Sequence, residues 1–288
     1  IEVKLNFLWN RLQNSNYKSF KEFYYKIFFM KKISWYYKFL IFKIKKKINL
    51  DSVFLDRNKS LNEIFNYFGT DKGTNVNNPY NKFSKKKIGH GFGKFYEKYF
   101  YKFKEESFNF LEIGTWEGAS LASFYFYFKK AFIYGLDRNF KNNFSSKRLE
   151  FIYCNTTDNS DLNTLKKKFK KKKFKIIIDD GSHLLNDIIN NLKFFFKLLD
   201  KGGFYVIEDF NHPKYFNYLN NSMKKELCID EIIKNLKKRK FFKSKILSQK
   251  DQKFLFKNIK RINAHKGKML NHKTNISDIL FLEKVWFV

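Results

Sequence analysis

The chain is short of cysteine, proline, acidic residues and long apolar runs, and each shortage excludes something. Its two cysteines, Cys154 and Cys228, lie far apart and neither belongs to a C-x-x-C pair, so neither a disulfide framework nor a cysteine zinc site follows. Cys154 ends an apolar run and is expected to be a small buried residue. No uninterrupted apolar run approaches the roughly 20 residues of a membrane-spanning helix. The expectation is a soluble, reduced, cytoplasmic protein; the chain opens at Ile1, which leaves a leader open. Acids number 27 against 59 Lys and Arg, a net charge of +32. Such a charge suits nucleic acid, an anionic glycan or a membrane surface. Abundant Lys, Phe, Ile, Asn and Tyr with 2 prolines also fit the drift of A/T-rich coding, without selection for a polyanion.

What is present reads as one catalytic domain with terminal additions. Residues 1–60 form a basic, aromatic arm containing FYYKIFFM (23–30), WYYKFLIF (35–42) and KIKKK (43–47). Apolar clumps broken by lysine suit a helix lying in an anionic membrane interface, equally a helix packed on a partner subunit such as a second copy of the chain, and otherwise a disordered arm. Residues 61–106 read as a helical lid, with a short helix from Leu61, GTDKGT at 69–74, and HGFGKFYEKY at 90–99. Over 107–272, apolar runs at 108–113, 132–137, 149–154, 174–179 and 203–207 alternate with helix-length segments, which favours a parallel sheet with crossover helices. Leu184, Leu185, Ile188, Ile189, Leu192, Phe195, Phe196 and Leu199 recur at helical spacing, and Lys201-Gly202-Gly203 is expected to stop that helix. A helix near 224–239 and apolar segments at 259–264 and 279–287 complete a seven-stranded count, with 273–288 a tail or last strand. Eight lysines in 166–175 read as a solvated face.

The chemistry concentrates in LEIGTWEGASL (111–121) and YGLD (134–137). An apolar strand enters a turn with Gly114 and Gly118, a helix follows, and the next strand ends in Asp137. Glycine lets backbone approach a ligand, and a carboxylate at the next strand tip can accept both ribose hydroxyl hydrogen bonds. The pattern is not the G-x-G-x-x-G of a pyrophosphate site. Glu112 before the first glycine would repel phosphate but suits a ligand carrying an ammonium and a sulfonium, as S-adenosylmethionine does. On this first motif the sequence resembles class I methyltransferases.

Two acidic clusters end the fourth and fifth runs: Asp179-Asp180-Gly-Ser-His183 and Glu208-Asp209. Ligands of an open parallel sheet bind beyond the strands' carboxyl ends, so both face one pocket. Carboxylates crowded there repel one another unless something positive sits among them, and a hard divalent cation with oxygen ligands, Mg2+, fits. His183, across a tight turn from Asp180, is placed as a general base for an alcohol that barely ionises at neutral pH. The bland alternative makes Asp179 and Asp180 helix caps and His183 a surface residue.

DDGSH, IED and the upstream GTDKGT together resemble the metal-dependent sugar O-methyltransferases of the macrocin and mycinamicin type and the related cephalosporin hydroxylase-like group. The resemblance runs over about 61–272. It implies a Rossmann-like class I methyltransferase fold, a mostly parallel seven-stranded sheet with helices on both faces, and an N-terminal helical extension. It further implies that Asp180, Glu208 and Asp209 bind Mg2+, that His183 is the catalytic base, and that Glu112, Gly114, Gly118, Asp137 and Asp179 serve the cofactor. Asp158, in TDNSD (157–161), then approaches the adenine, although Thr157 and Asn159 replace the usual glycine and glutamine. His90 and Tyr96 either close over the cofactor or pack the lid. His212, in a loop departing from the family pattern, is either a second base or a surface histidine. The implied activity is S-adenosylmethionine-dependent, Mg2+-assisted O-methylation of a sugar-containing acceptor. The alternatives are an RNA methyltransferase and a non-catalytic, membrane-associated protein with a vestigial pocket. With no asparagine-proline-proline-aromatic motif and no RNA module, nucleic acid is not the expected partner. Oxidation is the least supported reading: two histidines and a carboxylate in facial-triad spacing are expected to be absent, and Asp180, Glu208 and Asp209 offer only oxygen.

Overall fold

The structure, a computed structural model, describes residues 33–56, 58–75, 88–220, 226–270 and 274–286. Two compact units divide the chain, Ile1–Lys46 and Lys47–Val288. In the first, the described residues form a helix over 33–44, with Trp35 stacked on Phe39. Residues 1–32, which carry much of the proposed arm, lie outside the described residues. Among the described residues, no helix is long and apolar enough to cross a membrane.

The second unit starts earlier than the expected boundary at 60. Ile48–Asn49 runs parallel to Phe144–Ser145, and the Asp51 carboxylate accepts hydrogen bonds from the Tyr125 and Ser146 hydroxyls and the Lys147 N–H. Helix α1, Leu61–Phe68, opens on a capping box between Ser60 and Glu63 and closes on Gly69 in the left-handed region. Helix α2 is Gly93–Phe100. The αβ succession follows: β1 Asn109–Ile113, α3 Ala119–Tyr127, β2 Phe132–Asp137, β3 Leu149–Tyr153, α4 Asn159–Lys168, β4 Phe174–Asp179, α5 Leu185–Phe195, and β5 Leu199–Glu208. The chain ends with α6 His212–Tyr215, α7 Ile229–Lys238, α8 Gln249–Asn258, β6 Ile259–Lys266 and β7 Asp278–Lys284.

The seven strands lie in the order β3-β2-β1-β4-β5-β7-β6. β1 to β5 are parallel, and β7 runs antiparallel between β5 and β6. Of the two readings of 273–288, tail or last strand, the structure has the strand: β7 lies inside the sheet, hydrogen-bonded to β5 and β6. Strand alternation sends Leu111, Ile177, Tyr205 and Leu280 into a core under α4, α5, α7 and α8. Phe110, Ile176, Ile178, Val206 and Phe281 go to an aromatic-rich core under α1, α2 and α3.

One expected helix stop differs. α5 ends at Phe195 and passes through a 3-10 turn, Phe196–Leu198, so Lys201-Gly202-Gly203 already lies in β5. There the register against β4 shifts between Phe174 and Ile176. A Cβ on Gly203 would sit 2.5 Å from the Lys175 carbonyl oxygen, so these glycines serve a close approach at a bulge rather than a helix terminus.

Candidate active site

Chain order reverses between β1 and β4, and that is where the site forms. Gly114 leaves β1 at φ 84°, and a Cβ there would lie 2.0 Å from the Asp180 carbonyl oxygen. The Asp180 N–H in turn donates to the Ile113 carbonyl at 2.9 Å. Glycine is thus what lets the β1 turn and the β4 tip touch. Gly118, φ 87°, begins α3, and a Cβ on it would meet Asn142 Oδ1 at 2.1 Å. It shapes the turn from behind and does not line the cleft.

A cleft of about 200 Å3 runs along this turn, lined by Gly114, Trp116, Asp137, Asn155, Thr157 and Asp180 among others. Asp137 Oδ2 accepts the Trp116 N–H at 2.8 Å and Oδ1 the Asn139 N–H at 2.7 Å. Each oxygen has a second lone pair free of those two bonds. Cys154 also lines it, buried as expected, with burial pushing its thiol up to about 12.

Besides Gly118, three expected cofactor residues stand away from the cleft. Asp158 does not line the cleft: it is the N-cap of α4, its carboxylate accepting the Ser160 and Asp161 N–H groups. Asp179 projects from β4 to the face opposite Ile178. There it accepts bonds from Asn191 at 3.1 Å and the Tyr205 hydroxyl at 3.1 Å. Burial lifts its carboxyl to about 7. It ties β4 to α5 and β5. Glu112 points to the side of α1–α3, fully buried, where Ser120 donates to one oxygen and the other has no hydrogen-bond partner.

The residue that sequence reasoning missed is Lys72, from GTDKGT. Its ammonium is 1% exposed and lies 2.5 Å from Asp180 Oδ2, 2.7 Å from Glu208 Oε1 and 3.5 Å from Glu112 Oε1. Glu112 and Glu208 share a sheet face, so alternation turns both toward the loop after α1. That loop is pinned by the His90, Gly91 and Phe92 N–H groups donating to Asp71, Gly73 and Lys72 carbonyls. Burial works against the Lys72 charge, but Asp180, Glu208 and Glu112 outweigh it and hold the ammonium well above its ordinary range. The buried Tyr96 hydroxyl donates to Glu208. Tyr96 therefore packs and braces this cluster rather than closing over a cofactor. The signal available in sequence was the oversupply of acid itself, which calls for a cation without saying whose.

Four carboxylates against one ammonium remain in excess. Burial pushes Glu112 up to about 7 and Glu208 to about 8 despite Lys72, and Asp209 well above its ordinary range. Asp209 Oδ1 is buried with no hydrogen-bond partner. The oxygen donors of Asp180, Glu208 and Asp209 are of the type a hard dication takes, and Asp209 Oδ1 is an orphaned acceptor, but the Lys72 ammonium stands against Asp180 and Glu208, and among the described residues the donor atoms that converge to within 4.8 Å are those of His183, Asp209 and His212. His183 Nε2 stands 3.8 Å from Asp180 Oδ1 at the cluster's rim, and burial lowers its pKa. His90 is buried beside the cluster, its Nδ1 2.8 Å from Ser277 Oγ and 3.8 Å from Asp209 Oδ1. His212 is no surface histidine: its Nε2 lies 2.7 Å from the Ile276 carbonyl and 3.5 Å from Asp209 Oδ1. The expectation that two histidines and a carboxylate do not converge is therefore corrected. Asp209 and His212 are three residues apart just beyond β5, and the fold brings His183 from the β4 tip to join them.

No family model matches the chain. Over 127 residues it is 32% identical to demethylmacrocin O-methyltransferase of Streptomyces fradiae, covering 42% of this chain and 32% of that protein. Over another 127-residue match it is 31% identical to mycinamicin VI 2''-O-methyltransferase of Micromonospora griseorubida, covering 42% and 31%. The match thus spans about a third of the length of these curated relatives. Among solved structures, the MycE methyltransferase from the mycinamycin biosynthetic pathway, in complex with Mg and SAH, superposes with a TM-score of 0.58 at 23% identity. It covers 79% of this chain and 55% of that one. The complex that also holds mycinamycin VI gives 0.56 at 22% identity, covering 80% and 55%. The fold is accordingly the class I methyltransferase fold, and in sequence the chain resembles sugar O-methyltransferases.

Proposed function

We propose that the chain is an S-adenosylmethionine-dependent, Mg2+-assisted O-methyltransferase acting on a sugar hydroxyl of a glycan, a glycolipid or a nucleotide sugar. The observation that carries this reading is the contact between Gly114 and Asp180, which joins the cleft lined by Asp137 to a buried acid cluster with an imidazole at its rim. The relatives named for methylating sugars support the acceptor class. In this reading Gly114 and Asp137 bind the nucleoside, and the cofactor supplies an electrophilic methyl group when bound. Asp180, Glu208 and Asp209 would hold Mg2+, which stabilises a developing alkoxide when present.

The chain's own groups do the rest. His183, kept neutral by burial, takes the proton from the acceptor hydroxyl as the hydroxyl oxygen takes the methyl group. Lys72 and Tyr96 hold Asp180 and Glu208 in place from beneath. Glu112 contributes negative charge behind the glycine turn, which favours a cationic donor over a phosphate. The test is transfer of a labelled methyl group to sugar acceptors, with and without EDTA. Chelation, Asp180→Ala and His183→Ala should each abolish transfer. Undiminished activity in EDTA removes the metal from this scheme, and a flat calorimetric titration with the cofactor removes the scheme itself.

A further inference from the structure

His212 has no task in the methyl-transfer scheme, yet it sits where a ligand would. One donor atom from each of His183, Asp209 and His212 lies within 4.8 Å of the other two. The two imidazole rings stand edge to face with centroids 5.2 Å apart. Asp209 Oδ1, on a residue only 5% exposed, makes no hydrogen bond, with His212 Nε2 and His90 Nδ1 at 3.5 Å and 3.8 Å. His183 and Asp209 both hold left-handed backbone, at φ 55° and 51°. Non-glycine residues keep that conformation only where their surroundings over-determine it, and here it aims both side chains inward. His212 Nε2, 3.5 Å from Asp209 Oδ1, donates its N–H to the Ile276 carbonyl at 2.7 Å, so the lone pair is on Nδ1, which would be the ligand atom. Metal-ligating imidazoles are held in this way.

We propose that His183, Asp209 and His212 form a second metal site that takes a borderline transition ion such as Zn2+ or Co2+, and that it excludes Mg2+ binding because both sites need Asp209. The donor chemistry decides the ion. Two imidazoles and one carboxylate suit zinc and its neighbours, whereas Mg2+ demands oxygen. The consequence rests on the methyltransferase reading: an imidazole engaged as a ligand cannot accept a proton, so occupation by zinc withdraws His183 from catalysis and silences the enzyme.

The test is X-ray absorption at the zinc edge on the full chain loaded with one equivalent of Zn2+, together with calorimetric affinities. Wild type should show two imidazoles in the zinc shell and an affinity that falls as Mg2+ is raised. His212→Ala and His212→Gln, the second retaining a polar partner for Ile276, should lose one imidazole and bind zinc at least roughly tenfold more weakly, the scale on which even supporting partners of a ligand count. Circular dichroism melts check that both variants fold. An all-oxygen shell, unchanged affinity in both variants, or zinc and Mg2+ binding without mutual effect would each overturn the proposal. Failure of the methyltransferase reading is separate. It would appear as zinc-free, Mg2+-loaded wild type that neither binds S-adenosylmethionine nor transfers a methyl group.

Discussion

Lys72 carries the largest single-residue consequence. Removing one member of a buried ion cluster leaves its partners charged and unpaired, at a cost of about 3–5 kcal/mol. Lys72→Met should therefore lower the melting temperature of the metal-free protein sharply, and added Mg2+ should restore more of the loss than it adds to wild type, since a dication can replace the missing ammonium. A Lys72→Met melt that coincides with wild type would mean the ammonium does not hold the cluster. Gly114→Ala is the complementary change on the cofactor side. With 2.0 Å available to the new Cβ before the Asp180 carbonyl, the β1 turn and β4 tip must separate. Calorimetry should show cofactor affinity falling while the fold survives.

At the scale of elements, helix ends are where short-range chemistry acts most directly. α8 opens on Ser248 and Asp251 in a reciprocal capping box, and Asp251 also reaches Lys193 and Lys197 on α5 and the turn beyond it at 3.2 Å each. Burial raises the Asp251 carboxyl, but its bonds to Ser248, Lys197 and Lys193 prevail and hold it at about 2, below the ordinary 3.8. A carboxyl depressed by folding stabilises the fold above its unfolded pKa and loses that contribution as pH falls from about 4 to about 2. Asp251→Asn should destabilise at neutral pH by about 1 kcal/mol, as lost caps do. It should also flatten the acid limb of a denaturation series across that window. An unchanged acid limb would mean the pairings to α5 are not formed in solution.

For the whole molecule, the +32 charge opposes compactness through self-repulsion. Raising salt from about 0.01 M to about 1 M shortens the screening length from about 30 Å to about 3 Å. The melting temperature should rise over that range, whereas a protein stabilised chiefly by surface ion pairs would lose stability. The measurement is a series of thermal melts in sodium chloride. The salt dependence also separates composition from function: repulsion relieved by any salt requires no polyanionic partner.

The sequence by itself determined the strands, their parallel succession, the glycine turn with Asp137, and the two acid clusters at neighbouring strand tips. These are local properties: apolar runs of strand length, helical spacing between them, and a fixed topology in which such runs present their carboxyl ends to one side. Alternation even fixes that Asp179 leaves the face of Ile178, and Asp158 before three polar residues is a helix cap by its own short-range geometry. Only the tertiary structure decided which charge answers the acids and which histidines join them. Lys72 is 108 residues from Asp180, and His212 comes to Asp209 and His183 through a tight turn and a bond to Ile276. Contacts of that kind depend on how loops close over the sheet, and no periodicity in the chain encodes them.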